Sequence, residues 1–433
     1  MAGGSRIAAA CAAMMLFGGS AFAAEGATKI DSGDTAWMLV ATALVLMMTL
    51  PGLALFYAGM VRKKNVLATL AQCLGICALV SVLWIAFGYS LVFTPGNAFI
   101  GDLSRAFYLG AAMDSVHPLA KTVPESVFLM FQMTFAIITP AIIAGAVADR
   151  LKFSALLLFT ALWLVLVYCP LAHWVWGGGF LGQAGVLDFA GGIVVHINAG
   201  IAGLVAAIYL GKRRGYGVDN MAPHNLTLSV IGVSMLWVGW FGFNAGSALL
   251  ADARAGMAML STHMAAAAAA LTWMFAEWRL IGKPSVLGIV SGAVAGLGTV
   301  TPAAGYITPV AGLLIGAVAG MVCFWASVWL KRRLGYDDSL DVFGVHGVGG
   351  IMGTIATGAL ATSAVAGADV SGWIDGNFNQ VLTQFYGAGV GILWSGLGTL
   401  VILKIVNVLV GLRVTDDVEI EGLDLNLHGE ILH

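Results

Sequence analysis

A chain of 433 residues that is 60% hydrophobic and only 10% charged, with a mean hydropathy of +0.93, excludes a soluble globular domain of this length. The formal net charge of −2 carries no message as a total and gives no reason to expect a nucleic-acid partner, so any information in charge must lie in its distribution.

Residues 1 to 24 carry Arg6, an apolar run through Phe17 and the segment Ala21-Phe22-Ala23, the pattern of a cleaved signal peptide. Eleven apolar runs follow, each able to cross about 30 Å of hydrocarbon with about 20 residues. They lie near 35–61, 66–93, 125–147, 154–175, 190–211, 225–247, 256–278, 284–301, 306–330, 342–361 and 381–411. The eighth is short and glycine-rich, and the last is long enough to tilt. An all-α polytopic membrane protein is expected, with a membrane domain over 25–411 and a polar, acidic tail over 412–433. The 58 glycines suit membrane helices that pack backbone to backbone. Cys73 and Cys77 share a helix face and read as small packing residues.

Lysine and arginine set the orientation. Arg62, Lys63 and Lys64 follow span one, Arg150 and Lys152 span three, Lys212, Arg213 and Arg214 span five. Arg279 and Lys283 follow span seven, Lys331, Arg332 and Arg333 span nine, and Arg413 span eleven. Fourteen of the twenty basic residues thus leave on one side, while the opposite loops hold only Arg105, Lys121 and Arg254 among several carboxylates. The start is expected outside and the tail inside.

Two stretches carry ionisable residues inside apolar runs. DFAGGIVVHINAGIAGL (188 to 204) holds His196, and DVFGVHGVGGIMGTIATGAL (341 to 360) holds His346. Such residues are expensive in hydrocarbon and face a bundle interior or cavity. The histidines lie in spans five and ten, an odd offset that makes the two halves run oppositely, as in an inverted repeat of helices 1–5 and 6–10 with its site near the midplane. A neutral imidazole offers one donor and one acceptor nitrogen, so two in contact can share a proton. The alternative for either one alone is a packing histidine bonded to a neighbouring carbonyl. With no H-E-x-x-H and no Cys/His cluster nearby, neither a metal nor a haem is expected. Asp188 and Asp341 stand just before these helices, and their ordinary role is to cap them.

Aromatic residues gather at the outer ends. AHWVWGGGF (172 to 180) brings Trp174 and Trp176 to the interface, as an aromatic belt or as a cation–π face for a small cation. In WFGFNAGSA (240 to 248), Ser247 offers a hydroxyl and Phe243, four residues earlier, a plug beneath it. FQMTFA (131 to 136) repeats the i, i+4 relation with Phe131 and Phe135. An intramembrane enzyme is disfavoured for want of any nucleophile–base spacing.

These stretches, with PGLALFYAGMVRKKNVL (51 to 67), APHN (222 to 225), GKPS (282 to 285) and EGLDLNLHGE (421 to 430), resemble the ammonium transporters (Amt/Mep/Rh), and among them the bacterial Amt proteins. The resemblance spans nearly the whole chain. It departs in FQMTFA, where close relatives often have FQGSFA, and at Ala304, where some have cysteine. It implies a homotrimer in the bacterial inner membrane, each subunit with its own narrow pore, no cofactor, and NH4+/NH3 as substrate with methylammonium as an analogue. It also implies that Trp176 and Ser247 recruit NH4+ with help from Phe135, that Phe135 and Phe243 form a gate, and that His196 and His346 line the pore. By the same resemblance, Asp188 is expected to shape the recruitment site, and the tail to couple subunits and meet a PII-type signal protein. Ammonium and potassium are close in size, so rejecting potassium needs a property it lacks: ammonium can give up a proton and cross as NH3, whereas K+ would carry its full desolvation cost. A passive NH3/CO2 channel and an ammonium sensor are the alternatives.

Overall fold

Hydrocarbon offers no partner for a bare N–H or C=O, so an apolar run long enough to span it closes its backbone hydrogen bonds internally as a helix. The structure, a computed structural model, describes residues 29–432, and the expected signal peptide lies outside them. Among the described residues ten helices are long and apolar enough to cross a membrane. They are α1 (Ser32–Met60), α2 (Lys63–Phe93), α3 (Glu125–Ala146), α4 (Phe153–Gln183), α5 (Gly192–Leu210), α6 (Leu226–Gly246), α7 (Ala253–Ile281), α9 (Pro309–Leu334), α10 (Phe343–Leu360) and α11 (Asn379–Val410). The eighth expected run is the apolar helix α8 (Val286–Val300), 15 residues and shorter than the rest. The fold is all-α and multi-pass; a small hairpin, β1 (Val116–His117) with β2 (Ala120–Pro124), lies in the loop before α3.

Polar residues mark where helices begin. Asp31, Asn225, Asp252, Ser285 and Thr308 each accept a hydrogen bond from an orphan N–H of the helix that follows, and Pro309 opens α9 where its missing N–H is harmless. Large apolar side chains such as Leu271, Phe275, Leu313, Leu393 and Leu397 stay exposed around the outside, as a lipid-facing surface requires. Within the bundle, close approach depends on small residues. At the crossing of α5 and α10, a Cβ on Gly200 would run into the backbone of Gly347, and one on Gly350 would lie 2.9 Å from the Cβ of His196. Glycine at both places lets the two histidine-bearing helices touch through their backbones.

The ends of α1, α3 and α5, and of α9 and α11, form the basic end of the bundle, and the tail is built into it. Arg150, fully buried, donates to Ala146 O, Ala148 O, Asp337 O and Ser339 Oγ. Arg213 pairs with Asp337 at 2.8 Å and reaches Asp149, which also takes Arg62 at 3.0 Å. In the tail, the short helix α12 (Asp416–Glu421) places Glu419, 1% exposed, to accept from Arg214 N at 2.6 Å and from Arg413 Nη2 at 2.8 Å. Asp424 accepts from Leu67 N and Ala68 N at the start of α2, and Leu423 N donates to Asn65 Oδ1. An acidic segment thus meets helix-start N–H groups without a partner in their own helix, and arginines that need anions.

Gly200→Val is expected to destabilise the protein by at least about 1–3 kcal/mol through overpacking, read as a lower melting temperature in detergent. Gly389→Ala, with nothing within 4 Å of the added methyl, is expected to leave it unchanged. Glu419→Ala removes the acceptor of Arg214 N and Arg413, so hydrogen–deuterium exchange at the Arg214 amide is expected to speed up about tenfold.

Candidate functional site

The first turn of α5 is built by Asp188. Its Oδ1 accepts from Gly191 N at 2.8 Å and Gly192 N at 2.6 Å, and its Oδ2 from Ile193 N at 2.8 Å and Val194 N at 3.2 Å. Gly191, at φ +115°, makes the bend that turns all four N–H groups toward one carboxylate. The turn that follows is wide, with His196 N bonded back to Gly191 O at 2.9 Å, and it leaves His196 inside the bundle at 1% exposure. The start of α10 also meets a carboxylate, but through a single N–H and from a different residue than the one expected. Asp341 sits in the left-handed region at φ +59° and its carboxylate pairs with Lys331, so it does not cap the helix. Asp338 does, accepting from Phe343 N at 2.7 Å. Asp338 precedes His346 by eight residues, the same spacing as Asp188 to His196, and that spacing was the available signal.

The two helices bring the imidazoles edge to edge, nearly in one plane. Nδ1 of His196 lies 3.1 Å from Nδ1 of His346, with the rings within 6° of parallel and their centroids 5.2 Å apart. Two bare nitrogens do not attract and two protonated ones clash, so one proton sits between them. Each tautomer of one ring then dictates the other's. Trp240 stacks on His196 at 5.5 Å and 12°, and its Nε1 donates to Thr301 Oγ1 at 2.9 Å, so the wall beside the pair is apolar and has no free donor. Among the described residues His196 Nε2 is buried without a partner.

Above the pair lies a cavity of about 340 Å³ whose wall includes Phe135, Trp176, Asp188 and Ser247. Its floor is the contact of Phe135 with Phe243, ring centroids 4.3 Å apart, and Phe243 in turn stands 6.2 Å from the His196 ring. Trp176 meets Phe135 edge to face at 5.9 Å and its Nε1 donates to Asp188 O at 2.9 Å, which leaves the indole face to the cavity. Ser247 Oγ donates to Phe243 O at 2.8 Å, so its lone pairs remain to accept. Trp176, Ser247, Asp188 and Phe135 thus line one cavity, and Phe243 stands between Phe135 and the His196 ring; Trp174, the other indole offered as a cation–π face, instead packs on Phe180 and Trp394 and donates to Phe99 O at 2.7 Å. Below them, a cavity of about 40 Å³ lined by Tyr57, Ser291, Asp341 and His346 opens toward the basic end; it has room for a water or two.

Sequence reasoning missed Trp240, Gln132, Tyr306, Tyr57 and Ser291, and it treated Arg254 only as a stray outer charge. Trp240 stood at the head of a quoted motif, but nothing in the chain's order says that it would stack on an imidazole from another helix.

The profile of the Ammonium Transporter Family matches residues 36–432. The ammonium transporter of Bacillus subtilis (strain 168) is 50% identical over 401 residues, covering 93% of this chain and 98% of that one. The crystal structure of Saccharomyces cerevisiae Mep2 superposes with a TM-score of 0.83 at 37% identity, covering 90% and 89% of the two chains. A solved structure described as a sensor Amt protein gives a TM-score of 0.84 at 29% identity, over 92% of this chain and 98% of that one. The chain belongs to the ammonium transporter family. Ammonium transporters are multi-pass membrane proteins that move their substrate rather than transform it.

One buried carboxyl in this ammonium transporter gives a pH signature. Burial, helped by the charge of Asp341 and opposed by Lys331, pushes the Asp338 carboxyl up to about 6. A raised carboxyl contributes stability below its unfolded value that is lost as pH rises through about 6. In melting curves of detergent-solubilised protein, Asp338→Asn is expected to gain on wild type between about pH 4 and 6 by up to roughly 3 kcal/mol, then level off.

Proposed function

We propose that the chain takes up ammonium by recruiting NH4+ in the vestibule, deprotonating it there, and passing NH3 between His196 and His346 with the proton following. The observation that carries this reading is the contact of the two imidazoles at 3.1 Å behind an aromatic floor. Such a passage holds the minimum polarity that hydrogen-bonds a small neutral molecule and offers a bare ion nothing in exchange for its water.

In this reading the indole face of Trp176 attracts the cation, worth about 0.5–2 kcal/mol, and Ser247 Oγ accepts one of its N–H bonds. Asp188 keeps a negative charge in the wall while its oxygens hold the first turn of α5. Phe135 and Phe243 must swing apart to admit the solute. Beneath them the one proton held between the two Nδ1 atoms gives the line a direction: one Nε2 accepts while the other donates, and a proton entering at one end and leaving at the other reverses both tautomers. Net transfer then amounts to NH4+. The basic end faces the cytoplasm by the positive-inside rule, the signal peptide leaves the N-terminus outside a bacterial inner membrane, and α1–α5 and α6–α10 form inverted halves. The protein works as a homotrimer among membrane lipids. A cytoplasmic PII-type signal protein meets the docked tail and the basic loops around it. Methylammonium follows the same path.

Expression in a host without its own ammonium transport is expected to restore growth on low ammonium at acidic pH, where passive NH3 is scarce. Failure to restore growth counts against transport altogether. In proteoliposomes on a solid support, an ammonium pulse is expected to give a current that His196→Ala and His346→Ala each reduce at least about tenfold, the usual reach of a placed proton-transfer group. Growth without any current selects the passive NH3/CO2 channel instead.

A further inference from the structure

Arg254, at the start of α7, lines the same vestibule as Asp188. Its Nε donates to Gly305 O at 2.9 Å, and its guanidinium carbon lies 5.0 Å from the ring centroids of both Phe189 and Tyr306, which meet edge to face at 5.3 Å. The planar cation is therefore held by a carbonyl and two aromatic rings. Among the described residues it takes part in no ion pair, whereas each arginine in the network of Arg62, Arg213 and Arg413 at the basic end does. A cation at the mouth of a cation-recruiting cavity needs a reason.

The reason lies in the charge on the wall. Asp188 and Arg254 are the charged residues that line this cavity, one of each sign, so the vestibule as a whole is neutral. A net negative cavity of this size would concentrate every cation alike, since field attraction does not distinguish K+ from NH4+. A neutral one leaves the choice to short-range contacts, the indole face and the serine oxygen, and only ammonium can hydrogen-bond to the latter. We propose that Arg254 is a specificity-determining counter-charge, which cancels Asp188 in the vestibule and so hands selection from charge to hydrogen bonding. The inference rests on the vestibule being where ammonium is recruited.

Purified full-length wild type, R254Q and R254K are compared in proteoliposomes by ammonium-evoked currents at about 10 mM and about 1 M salt, where screening is weak and strong respectively. R254Q is expected to lower the half-saturating ammonium concentration about three- to tenfold at low salt, the size of one unit charge several ångströms away in a wet cavity. That gap closes at high salt, and K+ becomes an inhibitor of R254Q. R254K, which keeps the charge but not the planar stack, stays within about twofold of wild type. A248D, which adds a carboxylate to the same wall, shifts half-saturation in the same direction as R254Q and so tests the charge with Arg254 in place. Equal loss of current in R254Q and R254K would mean that Arg254 acts by pinning Phe189 beside Asp188, and would overturn the proposal. So would a half-saturation in R254Q and A248D that does not move at either salt. The wild-type current itself tests recruitment and transport, and only the differences among variants test Arg254.

Discussion

A polar group inside a membrane bundle has no water to fall back on, and this constraint shapes each part of the structure around His196 and His346. Their Nδ1 atoms satisfy one another at 3.1 Å, and among the described residues neither ring has another polar side-chain partner. Held apart, each would be an unpaired buried imidazole; held together, they form a short line with an accepting and a donating end. Packing elsewhere keeps those two rings at that separation.

Three local devices do so. A carboxylate stands eight residues ahead of each histidine: Asp188 takes four orphan N–H groups of its helix start, and Asp338 takes that of Phe343. A wide first turn follows in both helices. Gly200, Gly347 and Gly350 then remove the side chains that would hold α5 and α10 apart. The same fold carries its aromatic residues to the vestibule side, where Phe135 and Phe243 close the floor, and its arginines to the opposite end, where they bind the acidic tail. The tail belongs to this arrangement as more than a loose end. Glu419 and Asp424 satisfy donors on α2, on the loop after α5 and on Arg413, so anything that lifts the tail also frees groups next to the basic loops.

The membrane class and the helical runs were legible in the chain because hydrocarbon imposes a length and an apolarity that one dimension records. The start of each long helix was legible within a few residues for the same reason. The histidines stood out because an ionisable residue in an apolar run is costly wherever it ends up. The cap of α10 was misassigned because two aspartates compete for it, and the backbone at Asp341, left-handed and tied to Lys331, decides which carboxylate reaches the N–H groups.

What the sequence by itself determined is what a local pattern can encode: spans, their polar interruptions, the basic exits, and the family to which these motifs belong. The tertiary structure alone decided the rest. Trp240 on His196, Phe135 against Phe243, Arg254 between Phe189 and Tyr306, and the tail on α2 join residues from separate helices. Their contacts are set by crossing positions and side-chain direction, which depend on the whole bundle packing at once and leave no mark in the order of the chain.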